Sequence, residues 1–435
     1  MTMKGKSMTG ALFFAGLMLF EGCGRYAVPA SAERQGSAAA VFDVQAAKDE
    51  LLSALFSTGN PVSTNGGIRA VTTLDRRVQR IVSETLPRHA DTNDTGRGWA
   101  VVMSVEDGAV LALAECGGED GDTRPFALAR VFGPGHLLST LTAAAAFDAR
   151  IATPNTKMFT SAMEAFYYEY KLPRDGGHVW ESTLTISNAL AYSSNVVLSK
   201  LGIIVGRDKL YDVLDKCGVG RRSGIGLKRE PVGRLIRPER WCRLQQTRIP
   251  IGQGVEITSI QIARAYATLA NHGRRVDPYV VRRITDATGA TLYEHVASTN
   301  QPQAISSYAA DNACAILAGA VKADDLKGFA GAKDKDPPDV AKCFVSPRPT
   351  GRRAAVEGVR VAGKTSTVQR LKDDGRNYET DKYTASFAGF FPAESPKYVI
   401  VVCFETKRNE NAMFMHFGGG RPAMAFAEIV KGMSR

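Results

Sequence analysis

Two stretches rich in strand-forming residues stand far apart in this 435-residue chain, and they constrain its fold more than any other feature. One is "GWAVVMSVEDGAVLALAE", residues 98–115, in which two apolar runs flank an Asp-Gly pair typical of a hairpin turn. The other is "YTASFAGFFPAESPKYVIVVCFET", residues 383–406, with two more strands around a Pro-rich turn. Helical patterns fill the sequence between them. We therefore expect a mixed α/β fold whose central antiparallel sheet is completed by both chain ends and flanked by helices.

Local patterns place six strands and two helices. We expect the central sheet to include residues 97–105, 108–115, 359–368, 382–392 and 397–405. The stretch "IRAVTTLDRRVQRIVSETL" predicts a short strand, an N-cap at Asp75 and an amphipathic helix. The apolar face of this helix carries Val78, Ile81, Val82 and Leu86. The stretch "RPAMAFAEIVKGM" predicts the last helix of the chain.

The sequence divides into a targeting segment at residues 1–32, a polar linker at 33–67 and one folded domain at 68–435. Two lysines precede the apolar run "ALFFAGLMLF", which is short for a membrane span and suits the hydrophobic part of a signal peptide. Three outcomes remain open: cleavage after Ala32, lipid attachment to Cys23, and an uncleaved short anchor in the membrane. Each of them places the domain outside the cytoplasm, in the periplasm or on the outer face of the cytoplasmic membrane.

Composition narrows the classes of partner. A formal net charge of +11 favours anionic surroundings such as a membrane surface or a cell-wall polymer. A nucleic-acid platform needs basic runs interleaved with aromatic residues, and the sequence contains none, so nucleic acid is not an expected partner. The seven cysteines show no CxxC spacing. The sequence therefore indicates neither a metal site nor a cofactor.

A helix start within residues 131–146, "VFGPGHLLSTLTAAAA", has the frame of a nucleophile site without the nucleophile. The pattern predicts a Pro-Gly turn that opens an Ala-rich helix, and a helix N-terminus stabilises developing negative charge. His136 is the first side chain after the turn, and Ser139 follows one helical turn later. A catalytic serine would be expected at the place that His136 occupies.

Two further segments supply hydroxyl, amide and ammonium groups. The stretch "ISNALAYSSNVVLSKLG" interrupts a helical pattern with three short polar residues that prefer loops and helix starts: Ser193, Ser194 and Asn195. The stretch "RVAGKTSTVQR" predicts a strand in which Lys364 stands beside three hydroxyl side chains: Thr365, Ser366 and Thr367. Such a group can hold a carboxylate or an oxyanion by charge-assisted hydrogen bonds.

In their order along the chain, these segments resemble the transpeptidase domain of penicillin-binding proteins, in particular the class B, division and elongation type. The resemblance runs from about Ile68 to the C-terminus and includes "TTLDRRVQR", "SSNV", "GKTSTVQ", "ITSIQIARAYATLANHG" and "ASFAGFFPAESPKYVIVV". It implies the α/β fold shared with β-lactamases, and a site of Ser-x-x-Lys, Ser-x-Asn and Lys-Thr-Gly motifs that cleaves D-alanyl-D-alanine through an acyl-serine. It also implies peptidoglycan or its stem peptides, and other cell-wall synthesis proteins, as partners.

The first motif of that family is altered here. Without a gap, "PGHLLSTLTAAAA" places His136 at the nucleophile position and Ser139 at the lysine position. These positions share one helix face, where a serine and a lysine would let the amine take the hydroxyl proton. No serine in the whole sequence is followed three residues later by lysine. Acyl transfer by the family's mechanism is therefore not expected.

The third motif is altered at one position, because Ser366 stands in place of the family's glycine. Strand alternation directs residues 364 and 366 to the same side, so Ser366 is expected to narrow the cleft that Lys364 lines. We also expect His136 to lie at a buried helix start facing Lys364. The resemblance implies a degenerate catalytic set of His136, Ser139, Ser193, Asn195 and Lys364. It implies a substrate-binding set of Ser194, Thr365, Ser366 and Thr367.

Three functions are compatible with these motifs. The first, which the altered motifs favour, is an inactive transpeptidase homologue that acts in peptidoglycan assembly by binding partners or wall peptides. The second is an active D,D-transpeptidase or carboxypeptidase in which His136 is the base for Ser139. Its weakness is that Ser139 lies about 4.5 Å further along the helix axis than the N-terminal amides. The third is a receptor that binds wall peptides or β-lactams reversibly through Lys364, Ser193 and Asn195.

Overall fold

Strands and helices alternate along the domain in the computed structural model of this chain. The structure describes residues 48, 62–65, 67–117, 126–161, 169–175, 183–226, 230–296, 301–321, 349–372, 377–408 and 415–435. The strands are β1 (Val62–Asn65), β2 (Ile68–Thr72), β3 (Gly98–Ser104), β4 (Val110–Cys116), β5 (Lys157–Phe159), β6 (Thr183–Thr185), β7 (Val281–Thr285), β8 (Thr291–Glu294), β9 (Ala362–Leu371), β10 (Tyr378–Phe391) and β11 (Tyr398–Lys407). The helices are α1 (Arg76–His89), α2 (Phe126–Ala129), α3 (His136–Asp148), α4 (Ile186–Tyr192), α5 (Asn195–Val205), α6 (Arg207–Lys216), α7 (Arg243–Arg248), α8 (Ser259–Ala270), α9 (Ser307–Val321) and α10 (Arg421–Met433). The predicted targeting segment, residues 1–32, lies outside the described residues.

Five strands form the central sheet in the order β4-β3-β11-β10-β9, and each neighbouring pair is antiparallel. β3 near the start of the domain pairs with β11 near its end, so that Trp99 lies opposite Cys403. This confirms the predicted α/β fold with a sheet completed by both chain ends. β9 begins and ends three residues later than predicted, and β10 begins four residues earlier, because the two continue as a hairpin in which Tyr378 pairs with Leu371.

Helices α1 and α10 pack together on one face of the central sheet. Asp75 caps α1 as predicted, since its side chain accepts a hydrogen bond from the Val78 amide at 2.9 Å. Three residues of the predicted apolar face are buried, and Ile81 is partly buried. The same hydrophobic cluster contains Phe387 of β10 and Phe426 of α10, whose ring centroids are 4.6 Å apart.

Helices α3 and α8 cover the face of the central sheet opposite to α1 and α10. The side chains that point to this face alternate along each strand with those of the hydrophobic cluster just described. α8 packs against β3 and β11, and α3 packs against β9. Trp99 of β3 donates a hydrogen bond from Nε1 to Ser259 Oγ at 2.7 Å. Residues 137–147 of α3 are all buried, which explains why this helix is rich in alanine and has no polar face. Tyr266 of α8 donates to the Leu137 carbonyl at 3.1 Å and so fixes the start of α3.

The remaining strands form two smaller antiparallel sheets, β1-β2-β7-β8 and β5-β6. β1 lies within the predicted linker at residues 33–67, and its Val62 pairs with Val71 of β2. The last residues of that segment therefore belong to a sheet, although the pattern of Gly, Asn and Ser there favours a loop. Among the described residues, no helix is both long enough and apolar enough to cross a membrane.

The packing of α10 on the central sheet predicts the effect of truncating Phe426. We expect Phe426→Ala to lower the free energy of unfolding by about 3–5 kcal/mol, because it removes the ring that contacts Phe387 and leaves a cavity. Urea unfolding of the two proteins measures the difference. Lys431→Ala, an exposed position on the same helix, is the matched control and should change stability by less than about 0.5 kcal/mol. A loss below about 1 kcal/mol for Phe426→Ala would contradict the importance of this contact.

Candidate active-site cleft

Gly135 opens α3 in a conformation that distant parts of the chain enforce. Its φ of +50° lies in the left-handed region, which glycine adopts without a steric penalty. A Cβ at this position would lie 2.3 Å from Ser366 Oγ of β9. The Gly135 N–H donates to the Gly252 carbonyl at 3.3 Å, in the loop before α8. The helix therefore begins at His136, directly beside β9.

The joint between α4 and α5 carries the polar side chains of the middle motif. Ser193 ends α4 with a φ of 62°, a left-handed conformation that a residue with a Cβ adopts at an energetic cost. Ser194 then caps α5, because its Oγ accepts a hydrogen bond from the Val197 amide at 3.3 Å. This cap directs Asn195, the first residue of α5, toward the start of α3.

Lys364 of β9 is 1% exposed and donates hydrogen bonds to two oxygens. Its Nζ donates to Ser193 Oγ and, at 3.2 Å, to the Thr365 carbonyl. Burial lowers the pKa of Lys364 to about 7, since an ammonium loses its hydration there. At neutral pH, this side chain is therefore divided between its charged and uncharged forms.

His136 contacts Asn195, and the contact fixes its tautomer. Asn195 Nδ2 donates to the Arg174 carbonyl at 3.0 Å, so the amide oxygen of Asn195 faces His136 Nε2, also at 3.0 Å. Because that oxygen only accepts hydrogen bonds, His136 Nε2 carries the proton and Nδ1 carries a lone pair. Burial and the nearby charge of Lys364 lower the pKa of His136 to about 3, and the hydrogen bond to Asn195 opposes this shift. The imidazole is therefore neutral at physiological pH.

Ser139 lies beneath His136 and is fully buried. Its Oγ donates to the His136 carbonyl at 2.7 Å, whereas His136 Nδ1 is 3.4 Å from the same oxygen. The hydroxyl proton is thus directed to the backbone and not to the imidazole. A base with a pKa near 3 is also weak, so the geometry does not activate Ser139 as a nucleophile.

Two of the predicted substrate-binding residues point into the protein and hold neighbouring loops. Ser194 is fully buried and donates to Asp175 Oδ2 at 2.6 Å. Thr365 donates to Thr350 Oγ1 at 2.7 Å. Their hydroxyl groups are therefore engaged within the fold.

The other two, Ser366 and Thr367, lie on opposite faces of β9. Ser366 Oγ is packed against Gly135, is buried, and has no hydrogen-bond partner among the described residues. Thr367 Oγ1 accepts a hydrogen bond from the Gly418 amide at 2.9 Å. A Cβ at Gly418 would lie 2.3 Å from the Ser366 carbonyl, so this loop lies flat against β9. Ser366 therefore fills space at the start of α3, as strand alternation suggests.

Sequence reasoning did not find three residues that hold the cleft together: Asp175, Thr350 and Gly418. Asp175 and Thr350 lie in loops without a motif, and each meets a partner far away in the chain. Gly418 does carry a signal, because the run "FGGG" indicates a close approach between backbones.

The cleft brings together the five residues of the predicted degenerate catalytic set. It offers an ammonium, a hydroxyl and a carboxamide, which are groups that bind a carboxylate or a carbonyl oxygen. It places a neutral imidazole where the family's nucleophile would stand. Within the described part of the chain, no group of three His, Cys, Asp or Glu side chains could hold a metal ion.

Comparison with known families and proteins places these observations in context. The family described as the penicillin binding protein transpeptidase domain matches residues 98–431. Penicillin-binding protein PbpB of Mycolicibacterium smegmatis is 28% identical over 343 residues, which are 77% of this chain and 50% of that protein. Peptidoglycan D,D-transpeptidase FtsI of Escherichia coli is 26% identical over 378 residues, 83% of this chain and 55% of that protein. The chain thus spans about half the length of the curated relatives it matches.

Solved structures share the fold. The apo form of penicillin binding protein 3 from Mycobacterium tuberculosis has a TM-score of 0.67 and 26% sequence identity, over 84% of this chain and 78% of that one. The transpeptidase domain of penicillin-binding protein 3 from Burkholderia pseudomallei has a TM-score of 0.62 and 24% identity, over 83% and 95% of the two chains. The second likeness concerns the fold alone.

The lowered pKa of His136 predicts how stability depends on pH. The value is about 3 in the folded chain against a reference of 6.5, so the unfolded chain binds more protons between these two values. The stability associated with the neutral imidazole is therefore lost as the pH falls from about 6.5 toward 3. We expect the Tm of wild type, relative to His136→Asn, to decrease over this range in thermal unfolding. Ser139→Ala retains the imidazole, so its Tm should depend on pH as that of wild type does. If the difference in Tm between wild type and His136→Asn did not vary with pH, the lowered pKa of His136 would be refuted.

Proposed function

Because the chain belongs to the family of penicillin-binding protein transpeptidase domains, we propose that it is a cell-wall protein that binds without acyl transfer. Its ligands are stem peptides of peptidoglycan or a protein of the cell-wall synthesis machinery. We place it outside the cytoplasm, in the periplasm or on the outer face of the membrane, with its N-terminal segment as the means of export or anchoring. Cell division and elongation are the processes in which such a binder would act.

One observation carries the proposal: a neutral imidazole, hydrogen-bonded to Asn195, occupies the start of α3. In the family's mechanism, this position holds a serine hydroxyl at the positive end of the helix dipole. An acyl-imidazole at His136 would be a poor resting intermediate, because it would hydrolyse before an amine could take the acyl group. Loss of a catalytic serine lowers turnover by about 10⁶-fold in a serine protease, and loss of its base adds little.

The other hydroxyl groups of the cleft are no better placed to react. Ser139 is buried and donates its proton to the His136 carbonyl. Ser193 accepts a hydrogen bond from Lys364 Nζ, but it lies in the joint between α4 and α5 and not at the start of α3, where the family's mechanism places the nucleophile. These positions suit the binding of an anionic group better than nucleophilic attack.

Reversible binding at Lys364 is the second candidate within the same proposal. Its ammonium and the Ser193 hydroxyl already form a polar pair in the cleft. A carboxylate of a wall peptide or a β-lactam would accept hydrogen bonds from this pair without a covalent step. Binding of this kind is saturable and is reversed by dilution, which distinguishes it from acylation.

We expect wild type to form no stable adduct with penicillin, because an imidazole and not a hydroxyl stands at the nucleophile position at the start of α3. Intact-mass measurement after long incubation with excess penicillin is the test. A persistent gain in mass that maps to Ser139 would favour the His136–Ser139 pair and overturn the proposal. A gain that maps to Ser193 would overturn it in favour of the Ser193–Lys364 pair. An unchanged mass with saturable, reversible binding would support the receptor form of the proposal.

Restoring the family's motifs should restore covalent labelling. The triple variant His136→Ser, Ser139→Lys, Ser366→Gly provides a hydroxyl at the helix start, an amine one turn later and space beside Gly135. We expect fluorescent penicillin to label it at residue 136, since the rest of the cleft is already assembled. The matched control carries His136→Ala in place of His136→Ser and should remain unlabelled. A folded triple variant without labelling would show that more than these three positions prevents the reaction.

A further inference from the structure

A cavity of about 340 Å³ lies between the β7–β8 hairpin and the loop at residues 222–225. None of the residues of the cleft lines it. Four of its wall residues are cations and one is an acid: Lys48, Arg222, Arg264, Arg275 and Asp277. This volume falls at the lower end of the range for small-molecule sites, roughly 300–1,000 Å³. The cavity is therefore small, polar and positively charged.

Arg264 of α8 forms the inner wall of the cavity, and its side chain is only 5% exposed. One guanidinium nitrogen pairs with Asp277 Oδ1 at 2.6 Å, and another donates to the Arg222 carbonyl at 3.3 Å. Its Nε is buried and has no hydrogen-bond partner among the described residues. Asp277 also pairs with Arg275 at 2.9 Å, so one carboxylate serves two guanidinium groups. A buried cation that is only partly compensated favours the entry of an anion.

Lys48 and Arg222 add two further positive charges without a carboxylate partner among the described residues. The Lys48 ammonium lies 3.5 Å from the centre of the Tyr293 ring, in a cation–π contact, and burial lowers the pKa of Lys48. Glu230 binds this loop, because its carboxylate accepts hydrogen bonds from the Ser223 and Gly224 amides, and its charge acts on Arg264. Four cations therefore line the cavity, against the carboxylate of Asp277 in its wall and that of Glu230 on the loop.

Aromatic rings form another part of the wall. The rings of Tyr279 and His295 are stacked, with their centroids 3.6 Å apart and an interplanar angle of 9°. The Tyr279 hydroxyl donates to Asp107 Oδ2 at 3.0 Å, which fixes the ring in place. Burial, followed by the charge of Asp107, raises the pKa of Tyr279 to about 12, so its hydroxyl stays neutral. A flat apolar face beside guanidinium groups suits a ligand with an anionic end and a ring.

We propose that this cavity binds a phosphorylated sugar. The phosphate accepts hydrogen bonds from Arg222, Arg264 and Arg275, whose planar guanidinium groups match the geometry of phosphate oxygens. The sugar ring lies against the stacked pair of Tyr279 and His295. A sugar phosphate suits the limited volume of the cavity better than a nucleotide, which carries a base in addition. This site is separate from the cleft and does not rest on the function proposed for it.

Calorimetric titration of the full chain with glucose 1-phosphate, inorganic phosphate, glucose and adenosine monophosphate tests the proposal. At low salt, about 50 mM, we expect glucose 1-phosphate to bind at least about ten-fold more tightly than glucose and about three-fold more tightly than inorganic phosphate. The double variant Arg222→Gln, Arg275→Gln should weaken its binding by about ten-fold or more. His295→Leu should reduce the preference for the sugar phosphate and leave the binding of inorganic phosphate unchanged.

The matched control is Arg283→Gln, because Arg283 is an exposed arginine of β7 that pairs with Glu294 and does not line the cavity. It should bind glucose 1-phosphate as wild type does. Equal weakening by this control would show that the whole charge of the chain, and not the cavity, attracts the ligand. Glucose 1-phosphate binding no tighter than inorganic phosphate, or tighter binding of adenosine monophosphate, would also overturn the proposal. Thermal unfolding of each variant establishes that it is folded.

Discussion

The antiparallel pairing of β3 with β11 is the contact on which the rest of the structure depends. It joins residues 98–104 to residues 398–404, and the hairpins on either side extend the pair into a five-stranded sheet. One face of that sheet is covered by α1 and α10, and the other by α3 and α8. β9 is one of the two edge strands, and it lies beside the start of α3. This strand order places Lys364 of β9 close to His136 at the start of α3.

Within the cleft, backbone packing and side-chain chemistry are coupled at Gly135 and Ser366. The space that a Cβ would need at Gly135 is taken by the Ser366 hydroxyl, and Gly418 covers the opposite face of the strand at the same place. Ser366 Oγ has no hydrogen-bond partner in the part of the chain that the structure describes, and a buried hydroxyl in that situation lowers stability. The serine thus closes the region where the family's glycine leaves room for a ligand backbone.

The polar groups of the cleft form hydrogen bonds with one another and with the backbone. Asn195 bridges the His136 imidazole and the Arg174 carbonyl, and Lys364 donates to Ser193 and to its own strand. Burial, followed by repulsion from the nearby charge of Lys364, lowers the pKa of His136 and keeps the imidazole neutral. Such a network holds the loops of a binding site in place. Within it, Ser139 donates its proton to the His136 carbonyl.

The sequence by itself determined the features that depend on local periodicity and on motif spacing. Alternating apolar runs and an Asp-Gly turn predicted the strands. The Asp75 side chain predicted the N-cap of α1. The spacing of His136 and Ser139 indicated the altered first motif. Only the tertiary structure decided the tautomer of His136, the direction of the Ser139 proton and the turn of Ser194 toward Asp175. It also decided that Arg264 of α8 lines a cavity with residues from four other segments. The physical reason is that a hydrogen bond needs atoms about 3 Å apart. His136 lies 59 residues from Asn195 along the chain and Ser194 lies 19 residues from Asp175, so only the folded backbone brings these atoms together. For Ser139, which follows His136 by three residues, the side-chain rotamers in the buried site decide between the carbonyl and the imidazole.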